Sequence, residues 1–161
     1  MSTSTPVIRA ATMADLPSIT ALVEQLNREE GYEVSASMEQ LHAVLFGTQA
    51  RVRMHALVAL QGEQVVGAIL YYWGFDTVSA SDGFHLADIV VVPAQRACGI
   101  GSTLFRALAA QCLQDGGQWI SLTVLKKNAR AQQFYQRHGM VEIDVNFYAI
   151  GPKGLARCAQ M

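Results

Sequence analysis

The chain lacks the features that would direct it to a membrane or to nucleic acid. Its first residues, Met1 to Pro6, contain no basic and then apolar signal region, and no apolar run approaches bilayer-spanning length. Twelve Lys and Arg against thirteen Asp and Glu leave a formal net charge of −1, so no positive field attracts nucleic acid or anionic lipid. We therefore expect a cytoplasmic protein without nucleic-acid or membrane partners.

Cysteine and histidine are scarce as well. The three cysteines, at 98, 112 and 158, are odd in number and widely spaced, which argues against a disulfide framework and against a zinc knuckle. The four histidines, at 42, 55, 85 and 138, show no paired metal-ligand spacing, so each is interpreted as a surface or packing residue. No metal is predicted.

What the chain does have is enough apolar material for one core. Its 161 residues are 51% hydrophobic, and they contain no repeats or low-complexity tracts. We expect a single domain over residues 1–161, with a core of about 7–150 and a tail at 151–161.

The first 92 residues predict two helices and four strands. Val7–Ala10 is predicted as a strand, and Thr12-x-x-Asp15 caps a helix that continues to about Arg28. A second capping box, Ser37-x-x-Gln40, opens a shorter helix. Alternating apolar residues then predict strands at 55–60, 65–72 and 84–92, the first two as a hairpin.

The second half predicts a helix, a strand, a short helix and a last pair of strands. Leu104, Leu108 and Cys112 recur at helical spacing before Gly116. Residues 119–124 alternate as a strand does, and Asn128 caps a helix that stops at Gly139. Further strands are predicted at 140–145 and 147–150. The expected fold class is α/β, a mixed sheet with helices on both faces.

A glycine-containing turn joins the strand that ends near Val92 to the helix that follows. The first amides of a helix have no intrahelical partner, and Gly99 and Gly101 allow an anion such as a diphosphate to approach the backbone. A nucleoside-triphosphate loop is excluded because no Lys precedes Ser102. A dinucleotide fingerprint fits poorly because position 104 is Leu. The alternative is a turn that binds no ligand.

Several motifs follow one another along the chain: Arg96-x-x-Gly99-x-Gly101, Leu-Thr-Val at 122–124, Asn128, and Phe134-Tyr135 before Gly139. In this order they resemble the signature of the GNAT superfamily of acyl-CoA-dependent N-acetyltransferases. Residues 7–11 and 66–76 also resemble the diamine acetyltransferase branch, the spermidine/spermine type, and the similarity extends over about 7–150. The resemblance implies a central, mostly antiparallel mixed sheet flanked by helices, and acetyl-CoA as co-substrate.

The resemblance also implies a coenzyme site in three parts. The backbone of Ile89, Val90 and Val91 would pair with the pantetheine arm. Asn128, Ala131 and Phe134 would line the outer end of the groove. The diphosphate would be surrounded by Arg96, Ala97, Cys98, Gly99, Ile100, Gly101 and Ser102. Cys98 has two interpretations, an ordinary loop residue or a thiol activated at the helix start to carry the acyl group.

Tyr135 and Asp88 are the candidate catalytic residues. By resemblance, the Tyr135 phenol protonates the departing thiolate, and its alternative is a packing role. The diamine branch carries Glu-Asp at the end of the strand before the loop, where this chain has Ala87-Asp88. Asp88 would bind the substrate ammonium or relay its proton through water, or else serve as a structural acceptor for backbone amides.

Glu29 and Glu30, at the end of the first helix, align with the substrate-facing segment of the branch and are candidates to attract a cation. The alternative is that they form a solvated helix end.

Three functions stay open. They are acetyl transfer to a polyamine or lysine-like amino acid, transfer to a protein N-terminus, lysine or aminoglycoside, and a non-catalytic acyl-CoA-binding module. The branch resemblance further implies a homodimer with C-terminal strands in its interface.

Overall fold

The structure is a computed structural model that describes residues 5–160. Two compact units are present, one extending to Thr123 and the other beginning at Val124.

The first unit is a five-stranded mixed sheet with its strands in chain order, β1-β2-β3-β4-β5. The first three pairings are antiparallel, and β4 with β5 is parallel. The fold class predicted from the sequence is confirmed. The strands are β1 (Val7–Ala10), β2 (His55–Gln61), β3 (Gln64–Asp76), β4 (Ser81–Val91) and β5 (Ile120–Ser121). The helices are α1 (Leu16–Glu30), α2 (Met38–Phe46) and α3 (Ile100–Gln114), with short 3₁₀ turns at Met13–Asp15 and Pro93–Gln95.

Helices cover both faces of this sheet because each presents the apolar stripe that the sequence predicts. Leu16, Ile19 and Val23 of α1 pack with Leu70 and Val90 of the sheet in one core cluster. On the other face, α3 buries Leu104, Leu108 and Cys112. The Leu104 side chain lies so close to Gly67 that a methyl group there would be about 3.2 Å away.

A β-bulge at Ala87 changes the direction of β4. Leu70 of β3 pairs with Asp88, but its neighbour Tyr71 pairs with Leu86, so Ala87 is an extra residue in β4. A bulge bends its strand and increases the local twist. The parallel pairing with β5 ends on the same side of this bulge, since the last pair is His85 with Ser121.

The strand predicted at 119–124 is therefore too long. Only Ile120–Ser121 is paired, because β4 turns away beyond His85 and leaves β5 without a partner there. The alternation of residues 119–124 predicts a strand, but a ladder also needs a neighbouring strand within hydrogen-bonding distance.

The second unit contains α4 (Ala129–Arg137) and α5 (Pro152–Cys158). The strands predicted at 140–145 and 147–150 are wrong, because no strand is assigned over 140–150. Val141, Ile143, Val145 and Phe147 are between 69% and 79% exposed. Their alternation is typical of a strand, but within the described residues no neighbouring strand forms hydrogen bonds with this segment.

An ion pair between the partly exposed Arg9 and the buried Asp15, at the start of α1, gives a pH-dependent contribution to stability. Arg9 Nη1 and Nη2 donate to the two oxygens of Asp15 at 2.6 and 2.9 Å, and the Thr12 amide donates to Oδ2 at 2.7 Å. The Arg9 hydrogen bonds are the main reason that the pKa of Asp15 falls from 3.8 to about 2. The folded state thus binds this proton less readily than the unfolded chain.

Replacing Asp15 by Asn removes the carboxylate that pairs with Arg9, and it is expected to reduce the free energy of unfolding at pH 7 by roughly 1–2 kcal/mol. The loss is no larger because solvent reaches the partly exposed Arg9 and screens the pair. The difference from the parent should shrink as the pH falls from about 4 to about 2, where Asp15 becomes protonated. Urea denaturation across that pH range measures it, with the exposed Asp82→Asn as control. A loss that is the same at pH 3 and pH 7 would argue against this origin.

Candidate active site

The turn before α3 exposes backbone amides, as the sequence predicts. Ala97 and Gly99 have φ angles of +64° and +82°, in the left-handed region that is unfavourable for Ala and easy for Gly. The first helical hydrogen bond runs from the Thr103 amide to the Gly99 carbonyl, at 3.0 Å. The amides of residues 100–102 therefore precede the helical ladder and are directed out of the helix start. Gly99, as the N-cap, has no side chain to cover them.

Arg96 fixes this turn to two other elements. Its Nε donates to the Val91 carbonyl at 3.0 Å, and Nη2 donates to both carboxylate oxygens of Glu29 at 2.8 and 2.9 Å. From the sequence, Arg96 is a candidate to bind a diphosphate and Glu29 a candidate to attract a cationic substrate. The structure brings the two together in an ion pair, so much of each charge is balanced by the other.

The outer edge of β4 beyond the bulge presents backbone groups. The Val92 amide donates to the Val66 carbonyl at 3.0 Å, so residues 92, 90 and 88 direct their amides toward β3. By the antiparallel alternation, Ile89 and Val91 direct their N–H and C=O groups to the opposite side. Among residues 5–160, β5 pairs with that side only at Phe84 and His85. The Ile89 backbone groups and the Val91 amide are therefore open to an extended ligand, while the Val91 carbonyl accepts a hydrogen bond from Arg96 Nε.

Asp88 lies on the sheet face that α1 covers, and it is half-buried. Burial, and then the negative charge of Glu30, raise the pKa of this carboxyl above its ordinary value. Glu30 is the last residue of α1. The end of α1 thus supplies a second carboxylate that is close enough to act on Asp88 electrostatically, although the strand itself carries Ala87. The sequence predicts both acids as site residues, but no local pattern predicts that they act on each other.

The second unit presents the remaining candidates on α4. The Asn128 side chain accepts a hydrogen bond from the Ala131 amide at 3.1 Å, which confirms the predicted cap. Ala131, Phe134 and Tyr135 follow at helical spacing on one face. Tyr135 is buried, and its ring packs edge-on against Phe134 with centroids 5.3 Å apart.

The described residues provide neither an additional catalytic thiol nor a metal site near the groups above. Cys112 is buried in the core, as predicted, while Cys98 and Cys158 are exposed free thiols. The Cys98 thiol donates weakly to the Arg96 carbonyl at 3.7 Å. In the described part of the chain, no set of three or more His, Cys, Asp or Glu residues is arranged to hold a metal ion. No described helix is both long and apolar enough to cross a bilayer.

Comparison with known proteins identifies the class to which these elements belong. Residues 19–140 match the acetyltransferase (GNAT) family, and the chain belongs to that family. It is 33% identical over 147 residues to thialysine N-epsilon-acetyltransferase of Bos taurus, covering 85% of each chain. It is 28% identical over 140 residues to aminoalkylphosphonate N-acetyltransferase of Salmonella typhimurium, covering 87% of this chain and 88% of that one.

A solved structure gives the same fold at lower identity. An integron cassette protein from the mobile metagenome of V. cholerae superimposes with a TM-score of 0.81 at 22% identity, over 98% of this chain and 99% of that one. The family match and the 33% identity to an N-acetyltransferase show that the protein is an acetyltransferase that acts on amines, and enzymes of this family use acetyl-CoA as co-substrate.

Proposed function

We propose that the protein transfers the acetyl group of acetyl-CoA to a primary amine of a small cationic acceptor, a polyamine or a lysine-like amino acid, in a ternary complex. The observation that carries this proposal is that Asp88 lies half-buried on the sheet face that α1 covers, and that this helix ends in a second acid, Glu30. Two acids from different elements create a local negative potential that attracts an ammonium group. The 33% identity to a thialysine acetyltransferase supports the same acceptor class.

The coenzyme would be bound mainly by hydrogen bonds to backbone groups, and less by charged side chains. The amides of residues 96–102 would bind its diphosphate at the start of α3. The open edge at Ile89 and Val91 would pair with the pantetheine arm, and the Ile89 amide would stabilise the oxyanion that forms on the thioester carbonyl. Asn128, Ala131 and Phe134 would contact the outer part of the coenzyme. Acetyl-CoA supplies an activated acetyl group as a thioester.

Two side chains would handle protons. An alkylamine with a pKa of ~10.4 is neutral in only about one molecule in two thousand at pH 7, so the ammonium must lose a proton before it attacks. Asp88 would bind that ammonium, directly or through a water that carries the proton away. Tyr135 would donate its phenolic proton to the coenzyme thiolate as the carbon–sulfur bond breaks.

An amine panel in a thiol-release assay tests the acceptor class. Turnover of spermidine, spermine, lysine or thialysine supports the proposal. Turnover only of peptides or aminoglycosides would replace it with the second candidate, which Ala87 favours because the second strand acid of the diamine branch is absent. Acetyl-CoA binding without any turnover would indicate a non-catalytic module.

Asp88→Asn is expected to raise KM for the amine by ~10-fold or more, because the carboxylate that faces the ammonium is lost.

The same change should raise the melting temperature at pH 7. The raised pKa of Asp88 means that folding disfavours the ionised carboxylate. Above the folded-state pKa this costs folding free energy, and the cost disappears as the pH falls through that pKa and the carboxyl becomes protonated. The neutral Asn side chain avoids this cost at pH 7. Asp82→Asn, on the same strand and exposed, is the control. An unchanged KM would remove Asp88 from substrate binding.

We also propose that the chain works as a single cytoplasmic domain and as a homodimer. The exposed apolar alternation at Val141, Ile143, Val145 and Phe147 supports an interface with a second copy, since a soluble monomer rarely exposes such a contiguous row. Sedimentation velocity at micromolar concentration measures the mass, and a monomer there would count against the dimer.

A further inference from the structure

A second polar group lies on the same sheet face as Asp88, and the bulge brings it there. His85 and Asp88 are three residues apart in β4, a spacing that places side chains on opposite faces of a regular strand. The extra residue at Ala87 restores the alternation, so both side chains face the side that carries α1. Their partners on β3, Tyr72 and Leu70, are two residues apart, which corresponds to about 7 Å along the sheet.

The position of the His85 ring is fixed by its neighbours. Its Nδ1 is 3.0 Å from the hydroxyl oxygen of Ser121, the residue that forms the last pair between β4 and β5. The Tyr72 ring lies against the imidazole, with centroids 4.9 Å apart and planes tilted by 41°. Among residues 5–160, no hydrogen-bond partner is found for Nε2. The ring is therefore held by one nitrogen, while the other is available at the point where β4 and β5 separate.

We propose that Nε2 of His85 is the base that receives the proton of the acceptor ammonium held at Asp88, and that Ser121 is a positioning residue for this imidazole. This inference rests on the proposed function. It names the group that receives the ammonium proton. In the diamine branch a glutamate stands at the position of Ala87, and the Ala87 methyl group cannot accept a proton. In the required tautomer, Nδ1–H donates to Ser121 Oγ and Nε2 carries the lone pair.

The transfer balances without a further reactant. Nε2 takes one proton from the ammonium, and the nitrogen lone pair attacks the thioester carbonyl. The nitrogen–carbon bond forms, and the carbon–sulfur bond breaks with its electron pair on sulfur. Tyr135 gives its proton to the thiolate and regains one from the acylated nitrogen, while His85 releases its proton to water. One ammonium and one thioester thus become one amide, one thiol and one proton.

The electrostatics of the site are compatible with a base that is neutral near pH 7. The groups that share the face are Tyr72 from β3, Asp88 from β4 itself and Glu30 from the end of α1, while β5 contributes the uncharged Ser121. Partial burial lowers the pKa of His85 below its ordinary 6.5. At neutral pH the imidazole is then mostly unprotonated and can accept a proton.

His85→Asn tests the proposal, because the Asn amide can keep the donor to Ser121 while Nε2 is lost. We expect kcat at saturating amine to fall ~100-fold, with acetyl-CoA affinity unchanged. The acid limb of the kcat profile that protonation of His85 causes in the parent should disappear. Ser121→Ala should lower kcat by several-fold and move that limb. His42→Gln, a partly exposed change on α2, is the matched control and should leave the profile unaltered.

The outcomes separate this inference from the function on which it rests. If the parent enzyme acetylates an amine and His85→Asn keeps both its rate and its acid limb, the inference fails and the function stands. If the parent turns over no amine at all, both fail. Nitrogen-resolved NMR of the parent protein gives a second measurement that does not require a folded variant. A His85 ring protonated at Nε2 and not at Nδ1 at pH 7.5 would also overturn the proposal.

Discussion

Tyr135→Phe is expected to lower kcat by ~100- to 1,000-fold while the Kd for acetyl-CoA changes by less than about twofold. The hydroxyl acts when the thiolate leaves, so its loss is felt in the transition state and not in the bound ground state. The ring stays in place, because Phe preserves the edge-on contact with Phe134 and the buried position on α4. Steady-state kinetics and calorimetry on the same preparation measure the two quantities.

Tyr148→Phe provides the matched control for that experiment. Tyr148 is 86% exposed and also belongs to the second unit, so the same chemical change there should leave both quantities unaltered. A Tyr135→Phe enzyme with full kcat would assign Tyr135 to packing alone. A large loss of coenzyme affinity would indicate that the hydroxyl binds the coenzyme and does not donate a proton to it.

Gly83→Ala is expected to reduce the free energy of unfolding by about 3 kcal/mol or more. A methyl group at this position would lie 2.2 Å from Cδ2 of Trp119 and 2.4 Å from its carbonyl oxygen, so the indole and the backbone of that residue must both move. The Trp119 carbonyl accepts a hydrogen bond from the Phe84 amide at 2.9 Å, which holds β5 beside β4. The substitution therefore breaks the parallel pairing at His85 and Ser121 and lowers activity as well.

Urea denaturation followed by tryptophan fluorescence measures this loss. Gly151→Ala is the control, because its φ is −89° and a methyl group there meets no atom within 4 Å. Its effect should stay within about 0.5 kcal/mol. Equal stability of the two variants would show that Trp119 does not constrain Gly83.

The helices and the antiparallel part of the sheet were predictable because their signals are local. The capping box at Ser37 and Gln40 is present, with the Gln40 amide donating to the Ser37 hydroxyl oxygen at 3.2 Å. Gly116 and Gly139 follow the helices they were expected to end, each with a φ above +80°. The turn at residues 96–102 was predictable for the same reason. A strand pattern ends just before it, two glycines lie within it, and apolar residues at helical spacing follow it.

The rest of the site depends on contacts between distant residues. A bulge at Ala87 leaves no mark in the order of residues, because Ala87 fits a regular strand equally well. Without it, the sequence gives no reason to place His85 and Asp88 on one face, and His85 was interpreted as a surface or packing residue. The Arg96–Glu29 ion pair joins residues 67 positions apart, and no local pattern predicts it. The short length of β5 follows from the path of β4 and not from its own composition.

The central claim is that backbone amides at residues 96–102 bind the diphosphate of the coenzyme, and calorimetry of three titrations tests it most directly. The parent should bind acetyl-CoA far more tightly than acetyl-pantetheine, which lacks the diphosphate. Gly101→Glu should weaken acetyl-CoA binding ~100-fold without unfolding α3, because a carboxylate is favourable at a helix start but repels the diphosphate. Gln114→Glu, at the other end of α3, should change nothing. Equal affinity for acetyl-CoA and acetyl-pantetheine, with no effect of Gly101→Glu, would contradict the account.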